Sequence, residues 1–174
     1  GKTAVALTVA HRRTADFGGR AFYVDFGPLR DSNLAATTIA SALELTTNSD
    51  DPLPALLAHL RDKPTLLVFD SCEHVLETLA PLTERLVRDV PHLHVLATSR
   101  ESFRSEGERI FRLFPLDFPP QRDDLTVAEI LAYPAAQLFV ERIAQGSGPF
   151  ELSAEEAPFV ADICRRLDGI ALAI

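Results

Sequence analysis

Three places in the chain carry residue types suited to phosphate and metal chemistry. Gly1-Lys2-Thr3 stands directly ahead of an apolar helical pattern. Glycine, lysine and a hydroxyl residue at a helix start form the tail of a phosphate-binding loop. In the full loop, backbone N–H groups surround the phosphates, the ammonium reaches their outer oxygens and the hydroxyl takes Mg2+. Three residues alone are equally a surface lysine at a helix N-terminus. Asp70 closes the apolar run Thr65-Leu66-Leu67-Val68-Phe69. An acid at a strand tip can hold Mg2+ directly or through water, and its bland counterpart merely caps the following loop. Thr98-Ser99-Arg100 ends a further apolar run, where a guanidinium could read a terminal phosphate by paired hydrogen bonds. The competing expectation for Arg100 is a salt bridge to Glu101 or Asp25.

Bringing these residues together requires a sheet flanked by helices. Val5, Leu7, Val9 and Ala10 fit a helix of about 14 residues that ends at Gly18-Gly19. Residues 21–26 are short, aromatic and β-branched, and read as a strand. Asp31 or Ser32 caps a helix to about Leu45, and a polar stretch spans Thr46 to Asp51. Pro52 then opens a helix that ends near Asp62. Residues 65–70 have the continuous apolar character of a parallel strand covered on both faces. A helix from about Val75 to Asp89, a strand over 94–98 and a weaker strand over 110–113 follow. This alternation predicts a doubly wound α/β sheet. Ligands bind at the carboxyl ends of such strands, which places Lys2, Asp70 and Arg100 around one crevice.

Pro119 to Asp124 is the one linker-like stretch, and beyond it the pattern is helical only. Helices are predicted over Val127–Ile143, over Ala154–Leu167 and from Ile170 onward. The resulting division is an α/β domain over 1–119, a linker over 120–127 and a helical subdomain over 128–174. A phosphate-binding loop follows a strand. That strand is expected before Gly1, central in the sheet between the strands ending at Asp70 and Thr98. A first residue other than Met and an apolar run cut at Ile174 lead to the expectation of an excerpt, poorly stable without its central strand unless strands 65–70 and 93–98 pair directly or another chain fills the gap.

A content of 47% apolar and 24% charged residues is that of a water-soluble globular chain. No apolar run approaches the ~20 residues that span a bilayer. The two cysteines match no disulfide or metal spacing, which suits the cytoplasm. His11, His59, His74, His92 and His94 show no ligand spacing either. A net charge of −8 argues against direct contact with nucleic acid by this segment. Val160 to Ala171 superficially looks like a helix-turn-helix, but wholly apolar residues follow its turn, as in a core helix.

Four segments occur in a telling order: Gly1-Lys2-Thr3, then Leu67-Val68-Phe69-Asp70-Ser71-Cys72-Glu73-His74-Val75. Ala97-Thr98-Ser99-Arg100-Glu101 and Gly169-Ile170-Ala171-Leu172-Ala173-Ile174 come next. The set closely resembles the NB-ARC-like (AP-ATPase) module of STAND P-loop NTPases, over essentially the whole chain. The nearest version is that of large bacterial transcriptional regulators of the SARP/LuxR type. The resemblance implies binding of ATP or ADP with Mg2+ and a slow ATPase that acts as a signal-transduction switch. It implies that Gly1, Lys2 and Thr3 bind phosphate, that Thr3 and Asp70 serve Mg2+, and that Arg100 reads the γ-phosphate. Pro115, Gly169 and Ala171 would border the nucleotide. Winged-helix, sensor-repeat and DNA-binding domains of the parent chain would be partners, and the resemblance allows a nucleotide-dependent oligomer.

Two positions depart from that pattern. Ser71 stands where this branch has Asn and eukaryotic members have a second Asp, which leaves Glu73 as the nearest general base. Glu73 equally suits a helix N-terminus. Ala171 replaces the usual Pro. Two other readings therefore stand beside the switch: a degenerate scaffold that hydrolyses nothing, and a metabolic P-loop enzyme with rapid turnover.

Overall fold

The computed structural model describes residues 1–46, 51–122 and 124–174. Most of the polar stretch after Leu45, and Asp123 of the linker, lie outside the described residues. The chain divides into two compact units, Lys2–Phe111 on the one hand and Arg112–Ile174 with Gly1 on the other. The division precedes the Pro119-Pro120 composition change because Leu116 and Phe118 pack into the core of the second unit.

The first unit runs α1 (Lys2–Arg13), β1 (Ala21–Asp25), α2 (Ala35–Ala42), α3 (Leu53–Leu60), β2 (Thr65–Asp70), α4 (Leu76–Asp89) and β3 (Leu93–Ala97). Its sheet is parallel, in the order β1-β2-β3, with Asp25 opposite Asp70 and Phe69 opposite Ala97. Both neighbours of β2 hydrogen-bond to it and all six of its residues are buried, which accounts for its unbroken apolar sequence. Because β2 and β3 pair directly, no strand lies between those ending at Asp70 and Thr98. This is the direct pairing expected as the alternative to a sheet left open by a missing central strand. Residues 110–113 form no strand, and Ile110 and Phe111 are exposed. Without a neighbouring strand their backbone groups have no ladder to join.

Side chains alternate across the sheet. Val24, Leu67 and Phe69 face a core built with Ile39 of α2, Leu56 and Leu60 of α3, and Leu79 and Leu86 of α4. Leu66 and Val68 face the other way and meet Ala6 and Ala10 of α1. Small residues on that stripe let α1 lie close to the strands. Gly18 and Gly19, both at positive φ, return the chain from α1 into β1.

The second unit contains α5 (Val127–Leu131), α6 (Pro134–Ser147) and α7 (Ala157–Arg166). A capping box between Thr126 and Glu129 starts α5. The single helix expected over Val127–Ile143 is two helices. Pro134 lacks an N–H and suits only the first turn, so the chain breaks at Ala132-Tyr133 and starts again. Ile130, Ala135, Ala136, Val160, Ala161 and Cys164 form the core. The helix expected from Ile170 is only a turn, with Ala173 and Ile174 donating back to the Ile170 carbonyl.

Candidate functional site

The parallel strands of the first unit end along one edge, and their last side chains on the α1 face form a polar row. Asp25 and Asp70 are paired in register, and Thr98 follows β3 with its N–H on the Phe69 carbonyl at 2.8 Å. Asp70 is only 4% exposed. Its carboxylate accepts from Thr3 Oγ1 at 2.9 and 3.1 Å, from Thr98 Oγ1 at 2.5 Å and from Tyr23 Oη at 3.0 Å. Among the described residues no lysine, arginine or histidine forms an ion pair with it. A buried carboxylate is thus held by three neutral hydroxyls from α1, β1 and the end of β3. Burial, and the negative carboxylate it donates to, push the Tyr23 phenol up to about 12.

The loop after β2 is shaped around the same cluster. Ser71 sits in the left-handed region, φ 58 and ψ 47, and its N–H donates to Thr98 Oγ1 at 3.1 Å. Cys72 N–H donates to the Thr98 carbonyl at 3.1 Å, so Thr98 ties the β2 and β3 termini together through backbone and side chain alike. The Cys72 thiol is fully buried, and desolvation pushes it up to about 12.

The expected residues divide into groups. Thr3 and Asp70 touch. Gly1 and Lys2 are exposed at the start of α1. Glu73 and Arg100 pair with each other, Oε1 to Nε at 3.2 Å, so Arg100 takes neither Glu101 nor Asp25. The Arg100 side chain is 80% exposed, which leaves it free to exchange partners. Asp25 accepts from the Gly27 N–H at 2.8 Å. In the helical unit the Leu116 N–H donates to the Gly169 carbonyl at 2.8 Å, which joins the Pro115 segment to the Gly169 turn. Arg142 donates to the Ala171 carbonyl at 3.0 Å. A cavity of about 590 Å³ in that unit, lined by residues including Asp117, Phe118, Glu129 and Tyr133, contains none of the expected site residues.

Tyr23 and Thr98 are the contacts that the sequence alone did not assign. Counting by two back from Asp70 and across a parallel register would have put both on its face of the sheet.

The first unit is therefore a parallel α/β sheet whose carboxyl edge carries a buried carboxylate–hydroxyl cluster beside a helix N-terminus. No protein-family model matches the chain. An uncharacterized protein of Mycobacterium tuberculosis is 31% identical over 175 residues, which cover 100% of this chain and 41% of that protein. A candidate HTH-type transcriptional regulator of the same organism is 32% identical over 178 residues, covering 100% of this chain and 18% of the regulator. The chain thus spans well under half the length of the curated relatives that it matches.

Proposed function

We propose that the chain is an ATP/ADP-binding switch module of a bacterial transcriptional regulator, with at most slow hydrolysis. The observation that carries this reading is the bond between Thr3 and Asp70, across 67 positions of sequence. The hydroxyl next to the candidate phosphate-binding lysine lies on the acid at the strand tip, as a shared Mg2+ site requires. The name of the mycobacterial regulator supports the regulatory half of the proposal.

The residues present fit a magnesium ion. No group of three or more His, Cys, Asp or Glu side chains able to hold a metal occurs among the described residues. Mg2+ needs none, because it is usually held by one or two protein oxygens while water and substrate phosphates complete its shell. A buried carboxylate without a cation favours such an ion electrostatically. When bound, Mg2+ would supply charge neutralisation for the phosphates. Lys2 would bind their outer oxygens, and Arg100 would leave Glu73 to read the terminal one. No membrane is invoked, and among the described residues no helix is long and apolar enough to cross one.

The scaffold reading keeps one specific support: Glu73 is tied to Arg100 and Ser71 is no acid, so no free general base stands beside Asp70. The experiment that separates the readings uses the parent protein with the residues before Gly1 restored. Nucleotide released on denaturation is identified by mass spectrometry, beside a Lys2→Ala control. ADP or ATP lost in the control is the expected result. An empty protein that takes up no added ATP refutes the switch.

A further inference from the structure

Arg20 stands immediately before β1 and Thr65 opens β2, so both lie at the amino edge of the parallel sheet, opposite the edge that carries Asp70. Neutral groups alone fix the Arg20 guanidinium there. Its Nε donates to Thr65 Oγ1 at 3.2 Å and its Nη2 to His59 Nε2 at 3.1 Å, while Cζ lies 5.4 Å from the centre of the Phe22 ring. Thr65 is fully buried, and its hydroxyl donates in turn to the Lys63 carbonyl at 3.1 Å, so the anchor is itself held. Among the described residues no carboxylate pairs with Arg20, His59 or Lys63, although the chain has 25 acidic residues against 17 basic ones. A guanidinium carries five N–H donors, of which these contacts use two. The rest are oriented and unneutralised.

Arginine has no acceptor, so the His59 Nε2 lone pair must receive the Nη2 proton, and the ring is neutral with its own proton on Nδ1. Burial, then the Arg20 charge from the start of β1 and the Lys63 charge from the connection into β2, hold its pKa below 6.5. An anion beside those two cations would cancel both charge effects and let the ring become a third cation. The C-terminal turn of α3, where His59 sits, favours the same protonated form.

We propose that Arg20, Lys63 and His59 form a binding site for a phosphate dianion, free or carried as a monoester by a small molecule, at the edge of the sheet away from Asp70. Two standing cations match a double negative charge, and the guanidinium fork matches phosphate oxygens. A net charge of −8 disfavours the long phosphate backbone of a nucleic acid as the source. The site does not depend on the nucleotide reading of the Asp70 edge.

The parent protein is incubated in deuterated buffer over about pH 5–9, and exchange of the His59 C2–H, which follows the protonation of the ring, is read by peptide mass spectrometry. Inorganic phosphate and glycerol phosphate are each compared with sodium chloride at equal ionic strength, which removes simple screening. Either phosphate should raise the His59 pKa by about one pH unit above its value in chloride, which equals about ten-fold tighter binding to the protonated form. The larger rise identifies the source, ion or ester. Without phosphate, Lys63→Gln and Arg20→Gln should raise the same pKa, because each removes a neighbouring positive charge, and in both the response to phosphate should shrink. Lys63 is exposed, so its variant tests the site even where Arg20→Gln fails to fold. Lys2→Ala should leave the response intact. Phosphates no more effective than chloride, a rise undiminished in Lys63→Gln, or a rise lost in Lys2→Ala overturns the site, and none of these outcomes touches the switch reading.

Discussion

Replacing Thr98 by valine keeps the volume and removes only the hydroxyl, so it isolates what that hydroxyl holds. Thr98 Oγ1 donates to Asp70 at 2.5 Å and accepts the Ser71 N–H at 3.1 Å. The first bond goes to a charged acceptor, for which the net contribution is about 1.5–3 kcal/mol. The second loss leaves a backbone N–H short of a partner, at about 1–3 kcal/mol when fully buried. Ser71 is only half-buried, and Asp70 keeps Thr3 and Tyr23, so the lower part of each range applies. Thr98→Val should therefore destabilise the first unit by about 3 kcal/mol. Thr98→Ser retains the hydroxyl and loses one methyl, about 0.8 kcal/mol. Urea unfolding followed by circular dichroism should show midpoints that differ while the slope stays constant. Equal stability of the valine and serine variants, within about 0.5 kcal/mol, would refute the assigned role of the hydroxyl.

Three other outcomes are expected. Gly169→Ala would place a Cβ 1.9 Å from the Leu116 carbonyl oxygen at a φ of +64, so the helical unit should lose well over 2 kcal/mol in the same unfolding assay. Ser71→Asn should gain up to about 1 kcal/mol, because Asn tolerates the left-handed backbone at φ 58 better than Ser does. His59, desolvated and next to Arg20 and Lys63, has its pKa lowered from 6.5, so the folded state keeps the ring neutral. The unfolded chain takes up the proton first as pH falls through that value. Stability should therefore decline between pH 7.5 and 5.5, and His59→Gln should flatten the decline.

The sequence reveals most where one environment dictates every residue. β2 is buried from Thr65 to Asp70, so its apolar run and closing acid read directly as a covered strand with a polar tip. α1 was legible because its start coincides with the Lys2-Thr3 signal and its end with Gly18-Gly19. Strand order was not, because apolar content is the same whichever neighbour a buried strand has. The direct pairing of β2 with β3 is a tertiary fact. Pro134 was a visible stop signal, yet the apolar period on either side of it matches one long helix. The Ile110–Leu113 pattern has strand character, but a strand needs a partner and none adjoins it. Tyr23 illustrates a further limit. An aromatic in a short apolar run reads as packing, and only its hydroxyl's reach along the neighbouring strand to Asp70 gives it a chemical role.

The cluster around Asp70 also explains why site and fold cannot be separated in the first unit. Its three hydroxyls come from α1, from β1 and from the end of β3, while the acid ends β2. None of these segments can make the contact locally, because each donor is separated from Asp70 by at least one whole crossover. A one-residue slip of β2 would turn Asp70 onto the face occupied by Leu67 and Phe69, against Ile39 and Leu79. There the carboxylate would meet an apolar core with no donor, and a buried unpaired charge is worth far more than any single apolar contact. The same acid that ends β2 therefore selects the register that delivers Thr3, Tyr23 and Thr98 to it.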